Sequence, residues 1–88
     1  MDEDVIAATI LYNLRRKNKI GAKHTPFDTL RRGFPKHLGR DVGDVAKGLI
    51  KKGWLISKPT SYGLEVSLDK DKIVEIEAFI FEVMNFRF

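Results

Sequence analysis

From Asp4 to Lys17 the apolar residues return every three or four positions, the period of an α-helix. Ile6, Ala7, Ile10, Leu11 and Leu14 share one broad face, which Val5, Ala8 and Tyr12 widen, and Thr9, Asn13 and Arg16 are left as a narrow polar strip. Asp4 at its start and Arg15, Arg16 and Lys17 at its end suit the helix dipole. Asn18 to Lys23, with Gly21 inside, reads as a turn and a short extended piece. Thr25-Pro26-Phe27-Asp28 then reads as a second helix start. Thr25 is the expected N-cap, Pro26 fits the first helical position, where no N–H is needed, and Asp28 stands where a capping box has its acidic residue. This second helix is short, buries Phe27 and Leu30, and stops at Gly33.

Phe34-Pro35 cannot continue that helix, and a turn follows to Gly39. A third helix is predicted to start between Leu38 and Asp41, with Asp41 as N-cap, and to end at Gly53. Val42, Val45, Ala46, Leu49 and Ile50 form its buried stripe, while Arg40, Gly43, Asp44, Lys47 and Lys51 fall on the opposite face. Trp54 to Lys58 is rich in strand formers, and Leu64 to Leu68 alternates apolar and polar residues with period two. With Pro59 to Gly63 as a five-residue tip, the two predict a β-hairpin. A fourth helix, capped by Asp69, is predicted to run to about Phe86.

Composition bounds what these elements can do. The 88 residues suffice for one compact domain, and with 43% of them apolar a buried core can form. The chain has no cysteine, so disulfides, a thiol nucleophile and cysteine-held zinc are excluded. His24 and His37 lack the three-to-five spacing of paired zinc histidines, and neither a metal nor a cofactor is expected. The acidic start, Met1-Asp2-Glu3-Asp4, is unlike a secretory signal, and a soluble, cytoplasmic protein is expected. The net charge of +4 is unevenly spread. Between Arg15 and Lys58 there are 13 Lys and Arg against 3 Asp and Glu, a net of +10, and each flank carries −3. A basic middle between acidic ends is a footprint of polyanion binding. No glycine-rich phosphate loop or acid–base constellation beyond His24 with Asp28 is present, so no enzyme is expected.

The stretch Val45-Ala46-Lys47-Gly48-Leu49-Ile50-Lys51-Lys52-Gly53-Trp54-Leu55-Ile56, followed by Tyr62-Gly63-Leu64-Glu65-Val66-Ser67-Leu68, resembles the passage from recognition helix to wing in winged helix-turn-helix domains. The resemblance is to the superfamily, in particular its small single-domain archaeal type, and covers essentially the whole chain. It implies a mostly helical α+β fold ordered helix, short strand, helix, helix, β-hairpin wing, C-terminal helix. It also implies a double-stranded DNA-binding protein, a transcription regulator or chromatin-associated factor, with the helix at about 40–52 in the major groove. Carried onto this sequence, the base-facing candidates are Arg40, Asp44 and Lys47, though Asp44 suits a helix-start role better than that of a base reader. Gly43 between them would let the backbone approach the groove. The phosphate candidates are Arg31, Arg32, Lys36, Lys51 and Lys58. Two glycines inside the third helix and a wing tip without charge depart from the pattern. Tyr62 at that tip suits packing or stacking equally, and RNA remains a further possible target.

The fourth helix is more apolar than one contact requires. Ile73, Ile76, Ile80, Val83 and Met84 form a central stripe, with Val74, Phe81 and Phe88 on one side and Phe79 and Phe86 on the other. The apolar arc spans about 220°, against somewhat more than 100° for an ordinary surface helix. A second copy of the chain is the expected cover, with Ile73, Ile76, Phe79, Ile80, Phe81, Val83 and Met84 in a homodimer interface beside the first helix. Glu77, inside that arc, is expected to pair with Arg87 or with a basic residue of the second chain. The alternative function is a protein-interaction module that works through this helix without binding DNA.

Overall fold

The computed structural model describes all of residues 1–88. The chain folds as α1 (Glu3–Arg16), β1 (Thr25–Pro26), a 3-10 helix (Phe27–Arg31), a 3-10 turn (Lys36–Leu38), α2 (Gly39–Lys52), β2 (Leu55–Thr60), β3 (Gly63–Leu68), a 3-10 turn (Lys70–Lys72) and α3 (Ile73–Met84). It is an α+β domain, mostly helical, with one antiparallel sheet in the order β1-β3-β2. The third and fourth helices expected from the sequence are α2 and α3.

Helix α1 sits at the centre. It packs on α2, α3 and β3, which explains why its apolar face is broad. Ile6, Ala8, Ile10 and Leu11 are all buried, and Asp2 caps the helix by accepting the Asp4 amide at 2.7 Å. The core continues through Val42, Ala46 and Leu49 of α2, Leu55, Val66 and Leu68 of the hairpin, and Ile76 and Ile80 of α3.

The second expected helix differs from the reading. Thr25 and Pro26 are not a cap and first turn but strand β1, paired with Val66 and Glu65 of β3, and only a single 3-10 helix follows. Asp28 makes no capping bond; it accepts from Arg31 Nη1 at 2.8 Å instead. A cap-like sequence lost here because Thr25 gains burial and a ladder partner in the strand. The extended piece expected before it is reduced to one bridge. Ile20 lies beside Leu68, with the Leu68 amide donating to the Lys19 carbonyl at 2.8 Å.

Helix α2 begins at Gly39, ahead of Asp41, and no side chain caps it. Its end is as expected. Gly53 adopts φ +89°, its amide reaches the Leu49 and Ile50 carbonyls, and the Trp54 amide also bonds Leu49. The hairpin has a two-residue tip, Ser61-Tyr62, not a five-residue one, because Pro59 stays in the ladder opposite Leu64. That is permitted because β2 is an edge strand, where the missing N–H faces no partner.

Helix α3 ends at Met84, and Asn85 turns the chain at φ +56°. Residues 85–88 fold back. Phe86 meets Tyr12 edge-on at 5.0 Å and Phe88 at 4.9 Å, while the Arg87 guanidinium lies 4.0 Å over the Phe81 ring. Two expectations are thereby corrected. Ile76 and Ile80 are 0% exposed and belong to the core of one chain, so neither is free for a dimer interface. Ile73 and Phe79 also pack against that core. Glu77 does not pair with Arg87; within the chain it accepts from Arg15 Nε at 2.7 Å.

Candidate nucleic-acid interface

Helix α2 buries Val42, Ala46 and Leu49 and turns the rest of its circumference outward. Arg40, Asp44, Lys47 and Lys51 are all exposed. On a wheel of 100° per residue, Arg40, Lys47 and Lys51 fall within about 40° of one another, and Asp44 stands just beyond them. This cationic edge is bordered by carboxylates on one side only: Asp44, about 20° from Lys51, and Asp41, farther round.

Arg31 fixes which side is which. From the 3-10 helix its Nε donates to the Gly39 carbonyl at 3.1 Å and its Nη1 to Asp28, and its guanidinium rests 5.7 Å from the Phe27 ring centre. A Cβ on Gly43 would stand 2.9 Å from Arg31 Nη2. Gly43 thus does not face a groove, as its sequence position suggested. It is buried beneath the Arg31 guanidinium, on the same side of α2 as the cationic edge. Arg31 is bonded into the scaffold and braces α2, whereas Arg32, the residue after it, is exposed and makes no ion pair.

The other side of α2 borders a cleft of about 430 Å³ between α2 and the start of α1. Ile6, Leu49, Trp54 and Phe79 line its apolar part, and Glu3, Asp4, Asp41 and Asp44 supply four carboxylates. Lys52 is the one basic side chain there, its ammonium 4.1 Å over the Trp54 ring. Asp44 accordingly lies on the side that repels a polyanion and marks the limit of the cationic edge.

The remaining candidates are scattered. Lys36 is exposed in the turn that leads into α2. Lys58 is exposed on β2, opposite Glu65 across the ladder, so its charge is locally offset. Tyr62 at the tip is 99% exposed and packs on nothing, which answers the question its sequence position left open. Arg15 does not join the cationic edge, being held by Glu77 with its guanidinium 4.8 Å from the Phe88 ring.

Sequence reasoning missed two cations. Lys17 and Lys19, assigned to a helix end and a turn, meet Arg32 at a notch between the end of α1 and the 3-10 helix. The available signal was their spacing across the Asn18 turn, where φ is +56°. No cluster of three or more histidine or carboxylate side chains is arranged to hold a metal ion, and no helix is long and apolar enough to cross a membrane.

Comparison with protein-family models, with curated proteins and with solved structures gives no match. The functional reading therefore rests on the geometry of this chain alone.

Proposed function

We propose that this chain is a winged-helix domain that binds double-stranded DNA, with α2 as the recognition helix and the β2–β3 hairpin as the wing. The element order and the β1-β3-β2 sheet, in which the strand after the first helix pairs with the last strand of the hairpin, support the fold reading. The observation that carries the function is the cationic edge of α2, where Arg40, Lys47 and Lys51 stand exposed on a helix braced from below by Arg31. No segment of the chain itself covers that edge. A helix so placed meets the width of a major groove, and Arg40 and Lys47 have the donors that read guanine O6 and N7. Lys36, Lys51 and Arg32 contribute backbone charge. The role is that of a regulator or chromatin-associated binder, and the reading includes no catalytic step.

The test is fluorescence anisotropy on duplex DNA across a salt series. Affinity is expected to fall linearly on a log–log plot, by about 0.9 per phosphate neutralised. The Arg40→Ala/Lys47→Ala double variant is expected to lose discrimination among duplexes. Unchanged affinity in that variant would remove α2 from the interface. The same titration on duplex and single-stranded RNA settles the polymer.

The alternative, a docking role for α3, has less support. Its stripe is occupied by α1, and its flank is covered by the chain's own C-terminal residues. What remains outward is Val74, 78% exposed, and Met84, 36% exposed, with Phe86 and Phe88 of the returning residues also partly exposed. Ile76 and Ile80, which the dimer reading placed at an interface, are covered within one chain.

A further inference from the structure

The notch between the end of α1 and the 3-10 helix is small, about 30 Å³, close to the space of one water molecule. Its polar lining consists of Lys17, Lys19, Arg32, Asn13, Thr25 and Thr29, and no carboxylate reaches it. None of these six side chains has a hydrogen-bond or ion-pair partner in the chain, whose side-chain bonds are all made elsewhere. Thr25 and Thr29 line the notch with hydroxyl-bearing side chains that make no bond within the chain, so both are free to donate to a ligand oxygen.

We propose that this notch is a phosphate subsite, accepting one non-bridging oxygen of a phosphate group while Lys17, Lys19 and Arg32 surround the others. Three cations and three neutral hydrogen-bonding groups, disposed on several sides of one point, match an anion with several oxygens. The site has no aromatic ring and no adjoining pocket for a base, so it suits a phosphate presented from outside on a polymer backbone. The α1 end, the Lys19 turn and the 3-10 helix all converge there, and none of the α2 cations lines it. Contact at both places would anchor a duplex at two separated points. For the source of the phosphate this proposal rests on the DNA reading above; for its chemistry it does not.

Two variants and one probe test it. Lys17→Ala/Lys19→Ala removes charge from an exposed turn. Thr29→Val removes one hydroxyl at constant shape. Lys70→Ala/Lys72→Ala, far along the chain in its acidic part, controls for net charge. Binding to a fixed duplex is measured across a salt series, and the free protein is titrated with inorganic phosphate at constant ionic strength while backbone amide resonances are followed. The expected result is a salt slope shallower by about 0.9 for the Lys17/Lys19 variant relative to the control, one phosphate lost. Thr29→Val is expected to bind roughly tenfold more weakly with the slope unchanged, as for a lost hydrogen bond to a charged group. If the wild-type chain binds no duplex but phosphate saturably shifts Lys19, Thr29 and Arg32, and Thr29→Val abolishes this, the subsite stands with free phosphate as its ligand and the DNA reading falls. If duplex binding is intact, both variants match the control and phosphate shifts nothing saturably, the subsite is refuted and the DNA reading survives. Absence of both responses overturns both.

Discussion

Replacing the two glycines inside α2 by alanine separates the part of that helix that is merely solvated from the part that Arg31 braces. In a helix interior, glycine costs about 1 kcal/mol relative to alanine. Gly48 is exposed, and a Cβ there meets nothing within 4 Å. Gly48→Ala is therefore expected to recover that full amount, a rise in Tm of about 4–8 °C for a domain of this size. Gly43 has the same intrinsic cost, yet its new Cβ would lie 2.9 Å from Arg31 Nη2 and 3.7 Å from Cζ. The guanidinium must move, which loosens its bond to the Gly39 carbonyl. A hydrogen bond from a charged donor contributes about 1.5–3 kcal/mol, and the low end applies because the Arg31 side chain is 40% exposed. The pair with Asp28 adds little, since the carboxylate is almost wholly in solvent. Gain and loss then nearly cancel, and Gly43→Ala is expected to fall at least about 1 kcal/mol short of Gly48→Ala.

Thermal and urea denaturation of both single variants, with Arg31→Ala and the Arg31→Ala/Gly43→Ala pair, completes a double-mutant cycle. Once Arg31 is gone, Gly43→Ala should recover the same gain as Gly48→Ala. Should Gly43→Ala instead raise Tm as much as Gly48→Ala in the intact protein, Arg31 is not bonded to α2. It would then be a mobile surface cation, available to phosphate as its sequence position suggested.

Other substitutions test the packing. Ser67 is fully buried with no partner for its hydroxyl, so Ser67→Ala is expected to leave stability unchanged or raise it by up to about 1 kcal/mol in urea denaturation, and a clear loss would reveal a partner for that hydroxyl. Ile80→Ala is expected to cost about 2–5 kcal/mol, with a Tm independent of protein concentration. A concentration-dependent transition would move that residue back to an interface between chains. Glu77→Gln is expected to cost less than about 1 kcal/mol, because both partners of the Arg15 pair are partly solvated, and the loss should shrink further at high salt.

Much of the fold was legible because some signals are local. The α2 stripe, its glycine stop and the alternation of β3 follow from periods that a chain carries by itself, and their boundaries fall within a few residues of the reading. Thr25-Pro26 was not legible. As a sequence it is a helix start, and only the presence of Val66 and Glu65 across from it makes it a strand. Gly43 shows the same limit at the candidate site. Its place on the wheel lies at the margin of the polar face, and nothing local reveals that a guanidinium 12 residues earlier, in the 3-10 helix, would occupy its missing side chain. Part of the apolar surface counted on α3 is met within the chain, because Asn85 and Phe86, read as the end of the helix, instead begin a strap that folds back on Tyr12.

The one-sided acidic border of α2 also bears on how a duplex can lie. A helix with its side chains is about 10 Å across, roughly one screening length at physiological salt. Asp44, one turn from both Arg40 and Lys47, offsets part of their charge at close range, whereas Asp41, with Glu3 and Asp4 across the cleft, lies farther round and is not averaged away. A polyanion is directed toward the Arg31 side and away from the start of α1. That direction leads toward the 3-10 helix, whose next residue, Arg32, belongs to the phosphate notch. On the DNA reading proposed above, the acidic flank of the chain acts on orientation. A cationic helix without it would attract a duplex equally well from either edge, and the two cationic places on this surface would not be selected together.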